Sequence, residues 1–300
     1  MKSSIEPSNI LEIENNADKE LISSPQLYVS EGFSNEGGLR SRGNLKASLP
    51  DKPLITVITV VYNGSETLQD TIESVQKQQY DNIEHIIIDG GSSDATVDIL
   101  KQYDHVIDYW LSEKDSGMYD AMNKGIALCF GEYVGMLNSD DMFANGDVLQ
   151  NVVDTFFQTK NDVVFSCLNI VDKDDLSKIL RKYRVTKFNS VLMRIGVMPP
   201  HPTFYCKKSC YNEVGLYRTD YKIAADFEML ARLLMRQKIS WSFLYKVTVT
   251  MRSGGLSDSG FLSSIKLNYE IIRACKENGL YTNWFFLALK LPIRMIELIR

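Results

Sequence analysis

Two adjacent carboxylates, Asp140 and Asp141, are the side chains in this sequence best suited to binding a metal ion. They follow an apolar run, residues 133–137, that predicts a buried strand, and a turn at the end of such a strand faces the ligand-binding crevice of an α/β sheet. Paired Asp oxygens suit Mg²⁺ or Mn²⁺, hard cations that also bind phosphate oxygens. The same Asn-Ser-Asp-Asp stretch is equally typical of a solvated turn that caps the next helix. The turn alone leaves both interpretations open.

A second polar turn begins with Asp89, directly after the apolar run 83–88. Two glycines and two serines follow this carboxylate, and glycine allows the backbone to approach a ligand closely while the carboxylate contacts it. A helix-capping loop is the alternative. The turn after the preceding apolar run, residues 62–65, contains neither G-x-G-x-x-G nor G-x₄-G-K-[ST], so it is neither a dinucleotide-binding fingerprint nor a P-loop.

Three further residues whose side chains could bind a ligand or take part in catalysis lie at element boundaries in the second half of the chain. Asp226 begins a predicted amphipathic helix, where it is either a functional carboxylate or a cap stabilised by the helix dipole. His201 lies in a proline-rich turn and is either a site residue or a histidine packed in an ordinary turn. Arg252 precedes a glycine-containing loop and would bring positive charge to phosphate groups if that loop closed over them.

The elements that must position these residues alternate along the chain. The β-branched runs at 54–61 and 83–88 predict buried strands. Each is followed by a turn and by apolar positions at helical spacing, and Ser65 is predicted to cap the first helix. Repeated strand–turn–helix units predict an α/β fold with a largely parallel sheet and right-handed crossovers, so the turns lie along one sheet edge. Further strands are predicted at residues 106–110, 163–167 and 247–251, and further helices at 118–128, 148–157 and 260–278.

Composition excludes several classes of protein. The 300 residues, 44% hydrophobic and 24% charged, are typical of a soluble globular protein. The net charge of −5 argues against nucleic-acid binding by bulk electrostatics. The five cysteines include one C-x₃-C pair without a second pair, which argues against zinc and favours reduced thiols in a cytoplasmic protein. Neither a signal peptide nor a transmembrane helix is expected from the hydropathy pattern.

Three segments differ in composition. Residues 1–53 are rich in Ser, Asn, Glu and Gly and are expected to form a disordered or loosely attached extension. Residues 54–257 are expected to form the main domain, and residues 258–300 a C-terminal helical extension. The stretch 284–300 combines aromatic, aliphatic and basic residues, which predicts a helix at a membrane interface. Packing of that helix on the protein's own core or on a partner subunit is the alternative.

Four segments, in order and at suitable spacing, resemble motifs of the family 2 glycosyltransferases with the GT-A fold. They are Val57-Ile58-Thr59-Val60-Val61-Tyr62-Asn63, Ile88-Asp89-Gly90-Gly91-Ser92-Ser93-Asp94, residues 113–125, and Leu137-Asn138-Ser139-Asp140-Asp141. The resemblance is strong over residues 54–147, weaker to about residue 255, and does not extend to the first fifty residues. It implies a Rossmann-like nucleotide-binding half joined continuously to an acceptor-binding half.

The resemblance implies donor and metal roles for the residues of these motifs. Asp89 would bind the donor's nucleoside, with Val61 and Asn63 lining the base pocket. Asn138-Ser139-Asp140 stands where the family carries Asp-x-Asp, so Asn138 would hydrogen-bond the ribose while Asp140, assisted by Asp141, would bind Mg²⁺ or Mn²⁺.

The resemblance also implies an acceptor side of the site. Asp226 would be the general base for the acceptor hydroxyl, and His201 would lie near the active site as an acceptor or donor contact. The remaining donor-binding candidates are Asp115, Tyr119, Asn123, Ser139 and Arg252.

The activity implied is inverting transfer of a sugar from a nucleotide sugar, expected to be UDP-linked, to a hydroxyl of a glycan or lipid-linked acceptor in bacterial surface-polysaccharide biosynthesis. The partners would be the donor, the acceptor and the inner face of the membrane, and not nucleic acid. Asn138 is the main support for an alternative, a non-catalytic binding or scaffold subunit, and the retention of Asp140 and Asp226 argues against it. A sugar-nucleotide nucleotidyltransferase would need a Gly-rich loop bearing Arg and Lys after the first strand, and residues 62–65 lack it.

Overall fold

The computed structural model describes residues 35–184, 188–237, 239–254 and 261–290. Within these ranges the strands are β1 (Glu36–Gly37), β2 (Ile55–Val61), β3 (Ile83–Asp89), β4 (Tyr109–Ser112), β5 (Tyr133–Met136), β6 (Asp141–Phe143), β7 (Val163–Val171), β8 (Ile179–Tyr183), β9 (Tyr205–Lys207) and β10 (Trp241–Arg252). The helices are α1 (Leu68–Gln76), α2 (Thr96–Gln102), α3 (Met118–Leu128), α4 (Val148–Thr159), α5 (Ser190–Arg194), α6 (Lys208–Val214), α7 (Ala225–Ala231), α8 (Phe261–Glu277) and α9 (Trp284–Ala288). Short 3₁₀ turns occur at Arg40–Arg42 and His201–Thr203, and α7 continues as a π-helical turn, Arg232–Arg236.

The strands form one mixed sheet in the order β1-β4-β3-β2-β5-β9-β7-β10-β6, with β8 paired to β7. Strands β4, β3, β2 and β5 are mutually parallel, as is the β7–β10 pair. The remaining pairs are antiparallel, so the sheet is more mixed than the largely parallel sheet expected. The predicted α/β fold with a central sheet flanked by helices is confirmed. The four parallel strands matter most for function, because their carboxyl ends share one edge.

Both faces of the sheet are covered by helices. Every residue of β2 and β3 is buried, and successive side chains point to opposite faces. Ile58 packs with α3 on one face, and Val57 packs with α4 on the other. Helix α1 begins at Leu68, with Thr67 rather than Ser65 at the N-cap position. The Ser65 amide instead donates to Asp94 at 3.0 Å, which ties the first turn to the second.

The described part of the N-terminal segment, residues 35–53, is bound to the domain. Strand β1 pairs with the sheet edge at β4. The Arg40 guanidinium lies 3.2 Å from the buried Glu84 carboxylate, donates to the Leu128 carbonyl at 2.7 Å and stacks 3.9 Å from the ring centre of Phe130. For these residues the expectation of a loosely attached extension is wrong, because the attachment uses charged side chains and backbone pairing rather than apolar residues. Residues 1–34 lie outside the described residues.

The C-terminal helices pack partly on the domain. Ile271, Ala274 and Cys275 of α8 and Leu287 of α9 are buried in the same cluster as α3. On α9, by contrast, Trp284 is 52% exposed and Phe285 71% exposed. Within the described ranges no helix has the length and hydropathy needed to cross a bilayer. The predicted interfacial stretch extends through residues 291–300, which lie outside the described residues.

The buried ion pair of Arg40 yields the first prediction. Replacing Arg40 by Met leaves the Glu84 carboxylate, 2% exposed, without its cation, and removing one partner of a buried pair destabilises by about 3 kcal/mol or more. Urea unfolding of Arg40→Met should show this loss, and Arg40→Met/Glu84→Gln should recover most of it. Arg42→Met is the matched control, since the Arg42 side chain is 48% exposed and such pairs contribute about 0–1 kcal/mol. Equal stability of the two single variants would contradict the assignment.

Candidate active site

Three turns at the carboxyl ends of β3, β2 and β5 lie against one another. A Cβ atom added at Gly64, in the β2 turn, would lie 2.5 Å from a methyl group of Val61 and 3.4 Å from the Ser139 hydroxyl of the β5 turn. Asn63, with its backbone in the left-handed region, accepts a hydrogen bond from the Ser93 amide at 2.9 Å. The absence of a side chain at Gly64 therefore permits the close approach, and the parallel strand order brings the predicted donor motifs together.

Asp89 is fully enclosed at the end of β3. Its carboxylate accepts hydrogen bonds from the Ser92 amide and hydroxyl and, at 2.7 Å, from the Ser112 hydroxyl of β4. The resemblance assigns the nucleoside contact to this carboxylate, whereas in the structure it organises the turn. Val61 pairs with Asp89 across the two strands, and the amide of the exposed Asn63 donates to the Ser92 hydroxyl at 2.7 Å. Asp115 completes this side of the edge: a Cβ added at Gly90 would lie 2.5 Å from its carboxylate.

The acidic turn after β5 holds two carboxylates in a low-dielectric setting. Burial raises the pKa of Asp140, and burial together with the neighbouring Asp140 carboxylate raises the pKa of Asp141 well above its ordinary value. The Asn138 amide donates to Asp141 at 3.2 Å. Among the described residues, Asn138 Oδ1 and Asp141 Oδ1 are buried without a hydrogen-bond partner. Unpaired oxygens next to crowded carboxylates fit a hard divalent cation.

The protein alone does not complete a metal site. No group of three or more His, Cys, Asp or Glu side chains with suitable geometry occurs within the part of the chain that the structure describes. Asp141 is 0% exposed, so Asp140 is the carboxylate of the pair with the more accessible position. The remaining ligands of a cation held there would therefore be donor phosphate oxygens and water, as is usual for Mg²⁺.

Arg252 occupies a different place from the predicted mobile loop. It is the last residue of β10, it is buried, and its guanidinium forms an ion pair with Asp70 of α1. It also donates to the Asp140 carbonyl at 2.9 Å. Its charge opposes the rise in the Asp140 pKa. Arg252 thus contacts the backbone of the acidic turn, and its predicted contact with donor phosphates stays a prediction.

Helix α3 carries two predicted donor contacts that serve the protein instead. The Asn123 side chain exchanges a pair of 2.8 Å hydrogen bonds with the backbone of Tyr217. The Tyr119 ring is buried, and its hydroxyl donates to the Ile223 carbonyl at 2.7 Å. Both side chains therefore join α3 to the segment that precedes α7, and their predicted contact with the donor stays a prediction.

Asp226 and His201 lie near enough to each other for their charges to interact. The buried His201 imidazole lies edge-on to Tyr217, with ring centres 5.9 Å apart, and its Nε2 has no hydrogen-bond partner among the described residues. Burial lowers the pKa of His201. Burial raises the pKa of Asp226, and the charge of His201 opposes that rise. Glu228 is turned inward and pairs with Arg232 at 2.7 Å. Of the two carboxylates at the start of α7, Asp226 is the one whose charge acts on the pKa of His201.

Comparison with known proteins decides the family. The model of Glycosyl transferase family 2 matches residues 56–217. The chain belongs to this family. An uncharacterized glycosyltransferase of Mycobacterium tuberculosis is 35% identical over 189 residues, which cover 60% of this chain and 68% of that protein.

Two solved structures show how the fold of this glycosyltransferase compares. S. aureus TarS in complex with UDP-GlcNAc gives a TM-score of 0.60 at 20% identity, covering 79% of this chain and 71% of TarS. The mannosyltransferase PcManGT of Pyrobaculum calidifontis, in complex with GDP-Man and Mn²⁺, gives 0.57 at 14% identity, covering 89% and 73%. At these identities the likeness concerns the fold, which is GT-A.

Sequence reasoning missed several residues that shape the glycosyltransferase site. Ser112 binds Asp89, and Lys124 lies 2.6 Å from Glu113. Tyr217 packs on His201 and is clamped by Asn123. Glu113 and Lys124 both lie within the motif at residues 113–125, so their opposite charges are a local signal for this ion pair. Tyr217 carried no local signal, because its partners are 16 and 94 positions away in sequence.

Proposed function

We propose that this family 2 glycosyltransferase is an inverting enzyme that transfers a sugar from a nucleoside diphosphate sugar to a hydroxyl of a glycan or lipid-linked acceptor. The observation that carries the proposal is the electrostatic interaction of a half-buried carboxylate, Asp226, with the buried His201, on elements other than the acidic turn at Asp140. A base and a leaving-group site on different elements suit a single in-line displacement, which inverts the anomeric carbon. The UDP-GlcNAc complex of TarS supports UDP as the nucleotide, and the surface-polysaccharide role rests on resemblance.

The donor side is proposed to use the three adjacent turns. The nucleoside would lie over Val61 and Asn63, with Asp89 supporting the pocket from beneath through Ser92. Asn138 and Ser139 would contact the ribose, and Asp115 would lie at the far rim next to Gly90. Because PcManGT carries GDP-Man, parallel titrations with UDP and GDP test the choice of base.

Asp226 is proposed to remove the proton of the acceptor hydroxyl. A base must be ionised to act, and burial raises the pKa of Asp226 above the ordinary 3.8. The charged form, and with it kcat/KM, is present above the raised pKa and is lost as the pH falls through it. The acid limb of the rate profile should accordingly lie at a higher pH than an exposed aspartate would give.

Replacement of the base gives the second prediction. Asp226→Asn should keep the fold and UDP affinity while lowering kcat by about 10²-fold or more, the usual scale for a lost general base. Steady-state rates and calorimetric UDP titration measure the two quantities. Glu228→Gln is the comparison, since its carboxylate pairs with Arg232 and should affect stability more than turnover. Turnover like that of the wild type in Asp226→Asn, with His201→Ala inactive, would move the role to His201.

Mg²⁺ or Mn²⁺ is the proposed cofactor, held by Asp140 with Asp141 behind it. When bound, such a cation supplies positive charge that stabilises the departing diphosphate. The protein's own contribution is to orient Asp140 through the Arg252 contact with its carbonyl and to pair Asp141 with the Asn138 amide. The Mn²⁺ in the PcManGT structure supports this choice.

The third prediction separates the two carboxylates of the acidic turn. Asp140→Ala should abolish the Mn²⁺-dependent part of UDP binding, and Asp141→Asn should weaken it less, because Asp141 is enclosed and bonded to Asn138. Calorimetric titration of UDP with and without Mn²⁺ measures the difference. Unchanged metal dependence in Asp140→Ala would place the cation on other ligands.

Peripheral membrane attachment is proposed for the C-terminal segment. Helix α9 buries Leu287 and presents Trp284 and Phe285, and exposed aromatic side chains beside basic residues are typical of interfacial helices. Attachment would bring the enzyme to a lipid-linked acceptor.

Vesicle flotation tests the attachment as the fourth prediction. The full chain should float with vesicles that contain anionic lipid, and Trp284→Ser/Phe285→Ser should reduce recovery several-fold because it removes exposed apolar surface. Tyr245→Ser is the control, since that side chain is 72% exposed on β10, away from α9. Equal recovery in the soluble fraction with and without anionic lipid would exclude attachment.

A further inference from the structure

One carboxylate from the C-terminal helix binds the segment that leads into α7. Glu270 of α8 is 5% exposed. Its oxygens accept hydrogen bonds from three consecutive backbone amides: Lys222 at 3.0 and 3.2 Å, Ile223 at 2.9 Å and Ala224 at 2.9 Å. A buried carboxylate that accepts several backbone N–H bonds fixes the conformation of that backbone strongly, because each bond is charge-assisted.

This contact binds the residues directly before α7. Ala224 occupies the N-cap position, and α7 has no side-chain cap hydrogen bond. In its first turn the Phe227 amide donates to the carboxylate of Asp226 at 2.7 Å. The amides of residues 222–224 are bound instead by Glu270, which lies 46 positions away from Ala224. The start of α7 is therefore defined by tertiary contact rather than by local sequence.

The same segment is held from its other side by α3. The Tyr119 hydroxyl donates to the Ile223 carbonyl at 2.7 Å, while the Ile223 amide donates to Glu270 at 2.9 Å. A peptide segment bound at both its donors and its acceptor has little freedom to rotate. Asp226 follows two residues after Ala224, so this double attachment sets where its carboxylate lies relative to His201.

We propose that Glu270 is a positioning residue for the general base: it fixes residues 222–224 and thereby holds the Asp226 carboxylate in the orientation that receives the acceptor proton. The inference rests on the proposed function of Asp226. Glu270 does not touch the reacting atoms. The charged and titratable groups that act on Asp226 from the surrounding elements are His201 of the 3₁₀ turn, Tyr119 of α3, Tyr217 and Glu270 itself.

Substitution at Glu270 should lower turnover without affecting the donor. In Glu270→Ala we expect kcat to fall by about 10- to 100-fold, the scale for a catalytic group displaced by about 1 Å, with the calorimetric Kd for UDP within about 2-fold of the wild type. Glu270→Gln should be intermediate, because an amide oxygen still accepts from backbone N–H groups but lacks the charge. If Glu270→Ala does not fold, Glu270→Gln carries the test.

Glu277 provides a matched control on the same helix. It lies two turns further along α8, and it binds the Tyr221 hydroxyl at 2.8 Å and Arg218 at 2.6 Å rather than the amides of residues 222–224. Glu277→Gln should lower the unfolding temperature yet leave kcat close to the wild type. A kcat for Glu270→Gln and Glu270→Ala equal to that of Glu277→Gln would overturn the positioning role and leave Glu270 as a stabilising residue only.

A double-mutant cycle distinguishes failure of this inference from failure of the proposed function. If Glu270 acts through Asp226, Glu270→Gln should lower kcat in the wild-type background but cause no further loss in Asp226→Asn. Independent, multiplying losses would overturn the inference while leaving Asp226 as the base. Activity like that of the wild type in Asp226→Asn alone would overturn the base assignment, and the positioning role with it.

Discussion

The parallel alignment of β4, β3, β2 and β5 is the constraint on which the site depends. In register, Val61 pairs with Asp89 and Asp89 with Ser112, so three strand ends stop at the same level. The turns that follow are then forced into contact, and Asn63, Asp89 and Asp115 meet without long connecting segments. Hydrogen bonds among Ser92, Ser112 and Asp89 join neighbouring turns directly. The donor side is therefore a consequence of strand register rather than of any single loop.

The electrostatics of this edge explain why an amide is acceptable at position 138. Burial raises the pKa of Asp141, and the charge of the neighbouring Asp140 raises it further. A further carboxylate at 138 would add to that repulsion, whereas the Asn138 amide donates to Asp141 and favours its charged form. Arg252 contributes the nearby positive charge while paired with Asp70. The asparagine thus leaves one charge fewer in a crowded turn than an aspartate would, and under the proposed function it keeps a polar group that would contact the ribose.

The parts of the molecule that sequence predicted are those governed by local pattern. The buried strands, the helices at 3.6-residue spacing and the acidic turn follow from residue types over a few positions. Helices α3, α4 and α8 lie within two residues of their predicted bounds, whereas β4 begins three residues later, β7 ends four residues later and β10 begins six residues earlier than predicted. The attachment of residues 35–53 escaped prediction, because Arg40 pairs with Glu84 across 44 positions and the segment contains no apolar run that would predict burial. The backbone contacts of Asn123 and Tyr119 also escaped prediction, because in the sequence these residues are only polar side chains within a motif. Their partners, the backbone of Tyr217 and Ile223, become neighbours only through tertiary packing.

The two sides of the site are consequently built in different ways. The donor side uses consecutive turns of adjacent strands, so its residues are close in sequence and its motifs can be read from the chain. The proposed acceptor side gathers Tyr119 from α3, His201 from a 3₁₀ turn, Asp226 from α7 and Glu270 from α8. Two of these elements are short, the 3₁₀ turn of three residues and α7 of seven residues, and α7 has no side-chain cap hydrogen bond. Under the proposed function, the geometry of the base depends on the docking of α8 through the bonds of Glu270 to the amides of residues 222–224. If Glu270 positions the base as proposed, a substitution in the C-terminal helix, far from any donor motif, lowers turnover while nucleotide binding remains unchanged.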